Sequence, residues 1–142
     1  EVLRLGGPGE AEGTFHFPTA IAGAPDGTLL VADALNFRIV RIGGDGRTLG
    51  SFGAPGDEGG ALARPKGVAV DGVGRIFVSD AGRDLVVVFA PDGSYAWTLG
   101  EPGSGPGQLD LPAGVAVSGG ILFVADSFNR RVQAYQLLGD LS

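Results

Sequence analysis

The sequence contains neither cysteine nor methionine among its 142 residues, and it has a single histidine, His16. Without cysteine there can be no disulfides, thiolate metal sites or cysteine nucleophiles. Zinc sites and histidine-dependent triads normally need more than one loop histidine, so His16 alone does not indicate a catalytic or metal site. No segment approaches the roughly 18 consecutive apolar residues of a membrane span, and no signal-peptide pattern is present.

Basic residues are also scarce. Ten Lys and Arg residues stand against sixteen Asp and Glu residues, which gives a net charge of −6, and Lys66 is the one lysine. The largest basic cluster is the pair Arg130 and Arg131. Nucleic acids and anionic membranes both require a positively charged patch. The sequence therefore predicts no nucleic-acid partner and no binding to an anionic membrane surface, and the lack of a long apolar segment predicts no membrane span.

The first residue is Glu1 and not methionine. This start is compatible with a mature chain from which a signal has been removed, and also with a piece of a longer polypeptide. The first interpretation slightly favours a secreted or periplasmic location. Both stay open.

What the sequence does contain is one motif written three times. Glycine and proline recur at an interval of 47 residues, at Gly13, Gly60 and Gly107 and at Pro18, Pro65 and Pro112. A fixed period of roughly 20–50 residues is typical of propellers, solenoids or arrays. The repeat accounts for nearly the whole chain and leaves little sequence for a separate catalytic apparatus.

Each repeat carries four short runs of branched and aromatic residues between turn residues, a pattern that predicts strands. In the middle copy the predicted strands are residues 66–71, 75–80, 85–89 and 94–99. No window has a useful helical period. Four antiparallel strands in about 47 residues form the blade of a β-propeller, so the predicted fold class is all-β. We interpret the strand aromatics as blade core: Phe77, Phe89, Trp97, Phe123 and Tyr135.

The repeated string G-x-x-x-x-P-x-G-[IV]-A-V-D, turn, I-[FY]-V-[AS]-D, x-x-N-x-R-[IV] resembles the NHL repeat over essentially the whole chain. Two positions depart from it. The Asp that closes the first strand is present as Asp71, whereas Ala24 and Ser118 stand in the other copies. The Asn-x-Arg pair is Asn36/Arg38 in the first copy and Asn129/Arg131 in the third, but Arg83/Leu85 in the middle one. The resemblance implies a six-bladed ring, of which three repeats are half.

The repeat divides the chain, as one domain, into a fourth strand with its crossover at 1–12, a first repeat at 13–59, a second at 60–106 and a third at 107–142. Residues 1–9 (EVLRLGGPG) align with residues 48–56 (TLGSFGAPG). The chain therefore begins with a fourth strand, and its third repeat lacks one. We expect the N-terminal strand, with Val2, Leu3 and Leu5, to complete the last blade of a second chain. Three blades are too few to close a propeller, which has about 4–8, whereas two chains supply six with closed symmetry.

Polar residues recur at equivalent places in the repeats. Asp33, Asp80 and Asp126 end the second strands, and two readings apply to them: metal or acid–base chemistry, or turn-capping and pairing with arginine in the same blade. We favour the second reading because each blade holds only one such Asp. Arg38 and Arg131 are expected to pair with Asp33 and Asp126 rather than to hold an anionic ligand, and Asn36 and Asn129 are expected to adopt left-handed turn geometry.

No residue is predicted to be catalytic, to bind a cofactor or to ligate a metal. The acidic pair Asp57 and Glu58 lacks the ligand density of a calcium site, and the glycine-rich crossovers lack the Lys-[ST] of a phosphate loop.

Three functions remain. The favoured one is a non-enzymatic, self-assembling scaffold that holds a protein or peptide on a loop face. The alternatives are an excised or engineered propeller fragment whose only activity is assembly, and a metal-dependent lyase or lactonase-like enzyme, which the resemblance allows.

Overall fold

The structure is a computed structural model that describes residues 4–10 and 12–137. It contains three successive antiparallel sheets, which confirms the predicted all-β fold with blade-like units. The first sheet consists of β1 (Pro18–Gly23), β2 (Leu29–Asp33), β3 (Arg38–Ile42) and β4 (Thr48–Phe52). The second consists of β5 (Pro65–Val70), β6 (Ile76–Asp80), β7 (Leu85–Phe89) and β8 (Tyr95–Leu99). After a short pair, β9 (Glu101–Pro102) and β10 (Gln108–Leu109), the third sheet consists of β11 (Pro112–Ser118), β12 (Ile121–Asp126) and β13 (Arg131–Gln136).

We call the three sheets blades 1, 2 and 3. Each strand pairs with the one before it, so each blade is a simple meander. The first strands of neighbouring blades pack side by side, β1 against β5 and β5 against β11. The hydroxyl of Thr19 donates to the carbonyl of Pro65 at 3.2 Å, and the hydroxyl of Ser79 donates to the carbonyl of Ala113. These bonds link the blades at their inner strands.

The sequence-predicted strands of the middle copy agree with β5–β8 to within one residue at each end. Each repeated proline is the first residue of its strand, a position where the missing N–H is tolerated. Blade 3 has three strands in the described part of the chain.

The crossovers between blades follow one plan that the sequence did not reveal. A short parallel pairing recurs three times: Pro8 with Phe15, Pro55 with Leu62, and β9 with β10. A glycine with positive φ precedes each pairing, at Gly6, Gly53 and Gly100. A Cβ at Gly53 would lie 2.9 Å from the Leu62 side chain and 3.1 Å from the Phe37 carbonyl oxygen. These positions therefore require glycine for both conformation and space.

Two apolar cores fill the spaces between blades. Between blades 1 and 2, Leu30, Ala32 and Ile39 pack against side chains of β5, β6 and β7. Between blades 2 and 3, Phe77, Val86 and Val88 pack against Leu109, Leu122 and Val124. All five residues of β6 are buried, which explains the continuous apolar runs, since a strand covered on both faces has no solvent side.

Two of the aromatics that we interpreted as core are exposed. Phe77 and Phe89 are buried as expected. Trp97 instead lies exposed on β8, the outermost strand of its blade, and Phe123 lies exposed on the side of blade 3 that faces away from blade 2. Phe123 is exposed because no second sheet of the described chain packs over the side of blade 3 on which it lies, and Trp97 is exposed because β8 is an edge strand of its blade.

Of the predicted assembly strand, Val2 and Leu3 lie outside the described residues, and Leu5 lies in irregular chain rather than in a strand. The strand is predicted to form against a second chain, so it stays a prediction; within the described chain no other strand lies beside residues 4–7. The Leu5 side chain packs over Gly46, 2.9 Å from where a Cβ would stand, as Phe52 packs over Gly93 at 2.8 Å. Leu5 thus takes, beside blade 1, the place that the end of β4 takes beside blade 2.

Candidate interaction surfaces

The three repeated aspartates form a buried anchor at one end of each blade. Asp33, Asp80 and Asp126 are fully buried. Asp126 Oδ1 accepts from the backbone N–H of Asp110 at 2.8 Å, and Oδ2 accepts from Asn129 Nδ2 at 2.9 Å and Arg131 Nε at 2.8 Å. Asp33 accepts in the same way from the N–H of His16 at 2.6 Å, Asn36 Nδ2 at 2.9 Å and Arg38 Nε at 2.9 Å. Each carboxylate holds the loop that leads into its blade.

The partner arginines continue this network toward the crossovers. Arg131 donates to the carbonyls of Ser104, Gly105 and Gln108 at 3.2, 2.7 and 2.7 Å. Arg38 donates to the carbonyls of Glu10 and Thr14 at 3.0 and 2.9 Å. With their donors used in this way, both guanidinium groups bind the chain itself and are not positioned to hold an anionic ligand.

The middle blade reaches the same result with a different residue, which sequence reasoning missed. Asp80 accepts from four backbone N–H groups, those of Ala63, Arg64, Gly82 and Arg83. Arg83 Nη1 donates to the carbonyls of Gly59 and Ala61, both at 2.8 Å. Arg83 stands where the other repeats have Asn36 and Asn129. The hydrogen-bond donor shared by all three repeats at that position could have predicted its role.

The expected left-handed geometry of the two asparagines is wrong. The positive φ angles fall on the following residues, Phe37 at 56° and Arg130 at 55°. The asparagine amides instead donate across the crossover, Asn36 to the carbonyl of Gly9 at 2.8 Å and Asn129 to that of Gly103 at 2.9 Å. Their side chains are needed as donors, whereas the turn is closed by the next residue.

The pKa of Asp126 is lowered from its ordinary value of 3.8. Burial by itself raises this pKa, but the hydrogen bonds from the Asp110 N–H, Asn129 and Arg131, together with the arginine charge, outweigh it. The carboxylate is therefore charged at neutral pH and stabilises the fold as an acceptor.

The side of blade 3 that faces away from blade 2 is apolar and exposed. This open face consists of Ala116, Phe123, Ala125, Val132 and Ala134, which the strand register places on one side of the sheet. Phe123 is 36% exposed and Val132 is 68% exposed. Phe123 lies three residues before the anchor Asp of its repeat. The equivalent residues of blades 1 and 2, Leu30 and Phe77, are fully buried. Ile39 and Val86, which correspond to Val132, are fully buried too.

A complementary exposure occurs at the other end of the molecule. Ile21 lies on β1, on the side of blade 1 that faces away from blade 2, and is 62% exposed. Val68, which like Ile21 stands three residues after the repeated proline, is buried in the core between blades 1 and 2. Each end of the three-blade array therefore carries an apolar position that is covered wherever a neighbouring blade exists.

A pocket of about 290 Å³ opens between blades 1 and 2. We call it the junction pocket; its lining residues are Phe17, Thr19, Ala34, Leu35, Arg64, Pro65 and Lys66. The remaining chemistry-bearing residues do not converge. His16, Asp57 and Glu58 are exposed, and the described residues contain no group of three or more His, Cys, Asp or Glu side chains that could hold a metal ion. Residues 4–10 and 12–137 include no helix long and apolar enough to cross a membrane.

Comparison with known proteins shows the fold and no more. No family model matches the chain, and no curated protein matches it. Among solved structures it is similar to a streptogramin B lyase, with 18% identity, a TM-score of 0.64 and coverage of 82% of this chain and 36% of that one.

Two further structures resemble it to the same degree. One is a structural-genomics protein of unknown function from Bacteroides thetaiotaomicron, at 16% identity, a TM-score of 0.71 and coverage of 89% and 37%. The other is virginiamycin B lyase from Staphylococcus aureus, at 14%, 0.62 and coverage of 87% and 42%. The chain spans about two fifths of the length of these proteins. Together with the three successive sheets, the comparisons show that its blades are those of a β-propeller.

Proposed function

We propose that this chain is a non-enzymatic propeller scaffold of three NHL-type units, which assembles with a second copy of itself through the open face. In the proposed ring, blade 3 of each chain packs against blade 1 of the other, and the six blades close. The observation that carries the proposal is the exposure of Phe123 and Val132 at positions that are fully buried in both other blades.

Burial of this face supplies the driving force. Covering an exposed large apolar side chain contributes roughly 1.5–3 kcal/mol, and the open face presents two such side chains among three alanines. Exposed apolar patches on soluble proteins commonly mark interaction sites. The same faces of blades 1 and 2 bind a neighbouring blade, so we expect this one to bind a blade as well.

The strand edges at the two ends of the three-blade array are also complementary. Strand β13 pairs with β12 alone among the described residues, which leaves its outer edge without a partner strand there. The segment that contains Leu5 packs beside blade 1 as the end of β4 packs beside blade 2. In the proposed ring this segment lies along β13 of the other chain and supplies the fourth strand of that blade. An open strand edge is a ready template for such pairing.

The mass of the chain in solution tests this proposal. We expect a species of twice the 14.3 kDa chain mass by light scattering and native mass spectrometry. Val132→Lys should reduce the mass to that of one chain while circular dichroism stays unchanged. Ala96→Lys is the matched control, because Ala96 is exposed on β8 of the internal blade, and it should not alter the mass.

A wild-type chain that is folded and monomeric at high micromolar concentration would overturn the proposal. That result would favour a fragment of a longer propeller, in which other blades of the same polypeptide cover the open face.

A further inference from the structure

The junction pocket points to a binding activity of its own. We propose that it binds an acidic peptide segment of a partner protein, with one apolar side chain of the peptide in the pocket and flanking carboxylates against Arg64 and Lys66. The pocket is formed within a single chain, between blades 1 and 2, so this inference does not depend on the proposed ring.

The walls of the pocket are apolar side chains that the fold leaves in solvent. Phe17 is 64% exposed and Leu35 is 48% exposed, and the buried residues Pro65 and Ala34 also line the pocket. A pocket of about 290 Å³ lies at the small end of ligand sites. It suits one anchoring side chain of a peptide, which is how a few buried residues dominate many interfaces.

The pocket is held rigid by the network that the Asp33 anchor organises. The N–H groups of Ala34 and Leu35 donate to the carbonyls of Phe17 and His16 at 3.4 and 3.0 Å. The His16 N–H in turn donates to Asp33. Across the pocket, Thr19 joins blade 1 to Pro65 of blade 2. A preformed site avoids the cost of ordering its loops when a ligand binds.

Phe17 is held in an unfavourable backbone conformation. Its φ is 63°, a left-handed value that is unusual for a bulky residue. Leu111, at the equivalent position of blade 3, also has a positive φ, of 49°, so this backbone geometry belongs to the repeat; what is particular to the pocket is the exposed aromatic ring of Phe17.

The charge at the pocket selects the chemistry of the partner. Arg64 and Lys66 are exposed on the blade 2 side, and within the described residues neither side chain takes part in an ion pair or hydrogen bond. Arg41, Arg75 and Arg131, by contrast, all lie beside aspartates. Two adjacent cations without internal partners, in a chain of net charge −6, are complementary to carboxylates.

The repeat shows that this pocket is not a by-product of the blade. At the next junction, Arg64 and Gly82 stand at the positions of Phe17 and Leu35, so both large apolar walls are absent. Ala113 stands at the position of Lys66. The combination of two apolar walls and two cations therefore occurs at one junction of the described chain.

Titration with a defined peptide tests the inference. The probe is a capped heptapeptide with a central leucine, two aspartates on each side of it and a serine at each end. Its binding is followed through the amide NMR chemical shifts of the folded chain. We expect saturable shifts at Ala34, Leu35 and Lys66. Peptides with lysines in place of the aspartates, or serine in place of the leucine, should bind roughly tenfold more weakly or worse.

Matched variants distinguish binding in the pocket from nonspecific binding elsewhere on the surface. Leu35→Ser and Lys66→Glu should each weaken binding by about tenfold. The controls are Phe128→Ser, the equivalent exposed apolar residue of blade 3, and Arg47→Glu, a cation outside this pocket; both should leave binding within about twofold. Equal binding of the acidic and basic peptides, unchanged binding by the pocket variants, or no shift at saturating peptide would overturn the inference. None of these results depends on the mass of the assembly.

Discussion

The first three strands of blades 2 and 3 have the same order and nearly the same apolar pattern, but the two blades differ in what covers them. In blade 2 every residue of β6 is buried. In blade 3 burial alternates along β12, with Leu122 and Val124 covered by blade 2 and Phe123 exposed. The apolar residues are present on both sides of both blades. The sequence of blade 3 is therefore typical of a blade with another blade packed on each face, whereas in the described structure only one of its faces is covered by a blade.

The sharpest way to break this comparison is to place a charge at equivalent positions of the two blades. Val86 is fully buried between blades 2 and 3, and Val132 is its exposed equivalent. Val86→Asp buries an unpaired carboxylate and should cost about 4 kcal/mol or more, enough to unfold most of the protein. Val132→Asp should change the unfolding free energy of the separated chain by less than about 0.5 kcal/mol. Urea denaturation at low protein concentration measures both, and similar losses would show that the open face is buried in the single chain.

The anchors of the two blades offer a second comparison. Asp126 accepts from one backbone N–H and from two side chains, including Arg131, whereas Asp80 is satisfied by four backbone N–H groups. Arg131→Met leaves a buried carboxylate without its cation and several carbonyls without a donor. Because Arg131 is itself partly exposed, we expect a loss of about 2 kcal/mol. Arg83→Met removes two hydrogen bonds to carbonyls and should cost about 1 kcal/mol. Thermal denaturation of the two variants checks the order, and a larger effect for Arg83→Met would contradict it.

These anchors also show how far the sequence could predict the site. Residue type and spacing were enough to suggest that Asp33 and Asp126 pair with arginines, since one Asp and one Arg recur together in each of these repeats. The role of Arg83 was missed because its guanidinium reaches the crossover from a different position, and a match to a repeat pattern does not test reach. The asparagine prediction failed for a related reason: residue preference for left-handed geometry did not reveal that the amides were needed as donors.

The fold was predictable because each strand is a local run between turn residues, and the bounds agree to within one residue in the middle copy. Exposure was not. Phe77 and Phe123 occupy equivalent positions, and nothing in either strand indicates that only Phe77 has a sheet packed over it. The junction pocket was likewise hidden, because Phe17 and Leu35 of blade 1 are separated in sequence from Arg64 and Lys66 of blade 2, and the packing of the blades brings them together.

The ion pair in blade 3 predicts a dependence of stability on pH. The pKa of Asp126 is lower in the folded chain than its ordinary value of 3.8, so the unfolded chain binds the proton more readily. Its contribution to stability is complete above that ordinary value and is lost as the pH falls through the lower pKa of the folded state. Asp126→Asn should therefore reduce the difference in urea midpoint between about pH 7 and about pH 3. Asp57→Asn, at an exposed acid, is the control, and an equal change in both variants would contradict the assignment.

The smallest expected effect concerns whether blade 3 becomes like blade 2 when its open face is covered. If a second chain packs on Phe123 and Val132, the amides of β12 and β13 should exchange with solvent more slowly as the protein concentration rises, because association stabilises only the associated state. For two identical chains, a tenfold rise in concentration lowers the fraction of separated chains by at most about threefold, which corresponds to about 0.7 kcal/mol by mass action. The amides of β6 and β7 are the internal reference, because these strands are already covered on both faces. Their exchange rates should depend on protein concentration only where they exchange through global unfolding. In Val132→Lys the concentration dependence should vanish in β12 and β13. Hydrogen exchange read by mass spectrometry at two concentrations decides this, and exchange of β12 that is independent of concentration in the wild type would mean that its exposed side remains without a partner chain.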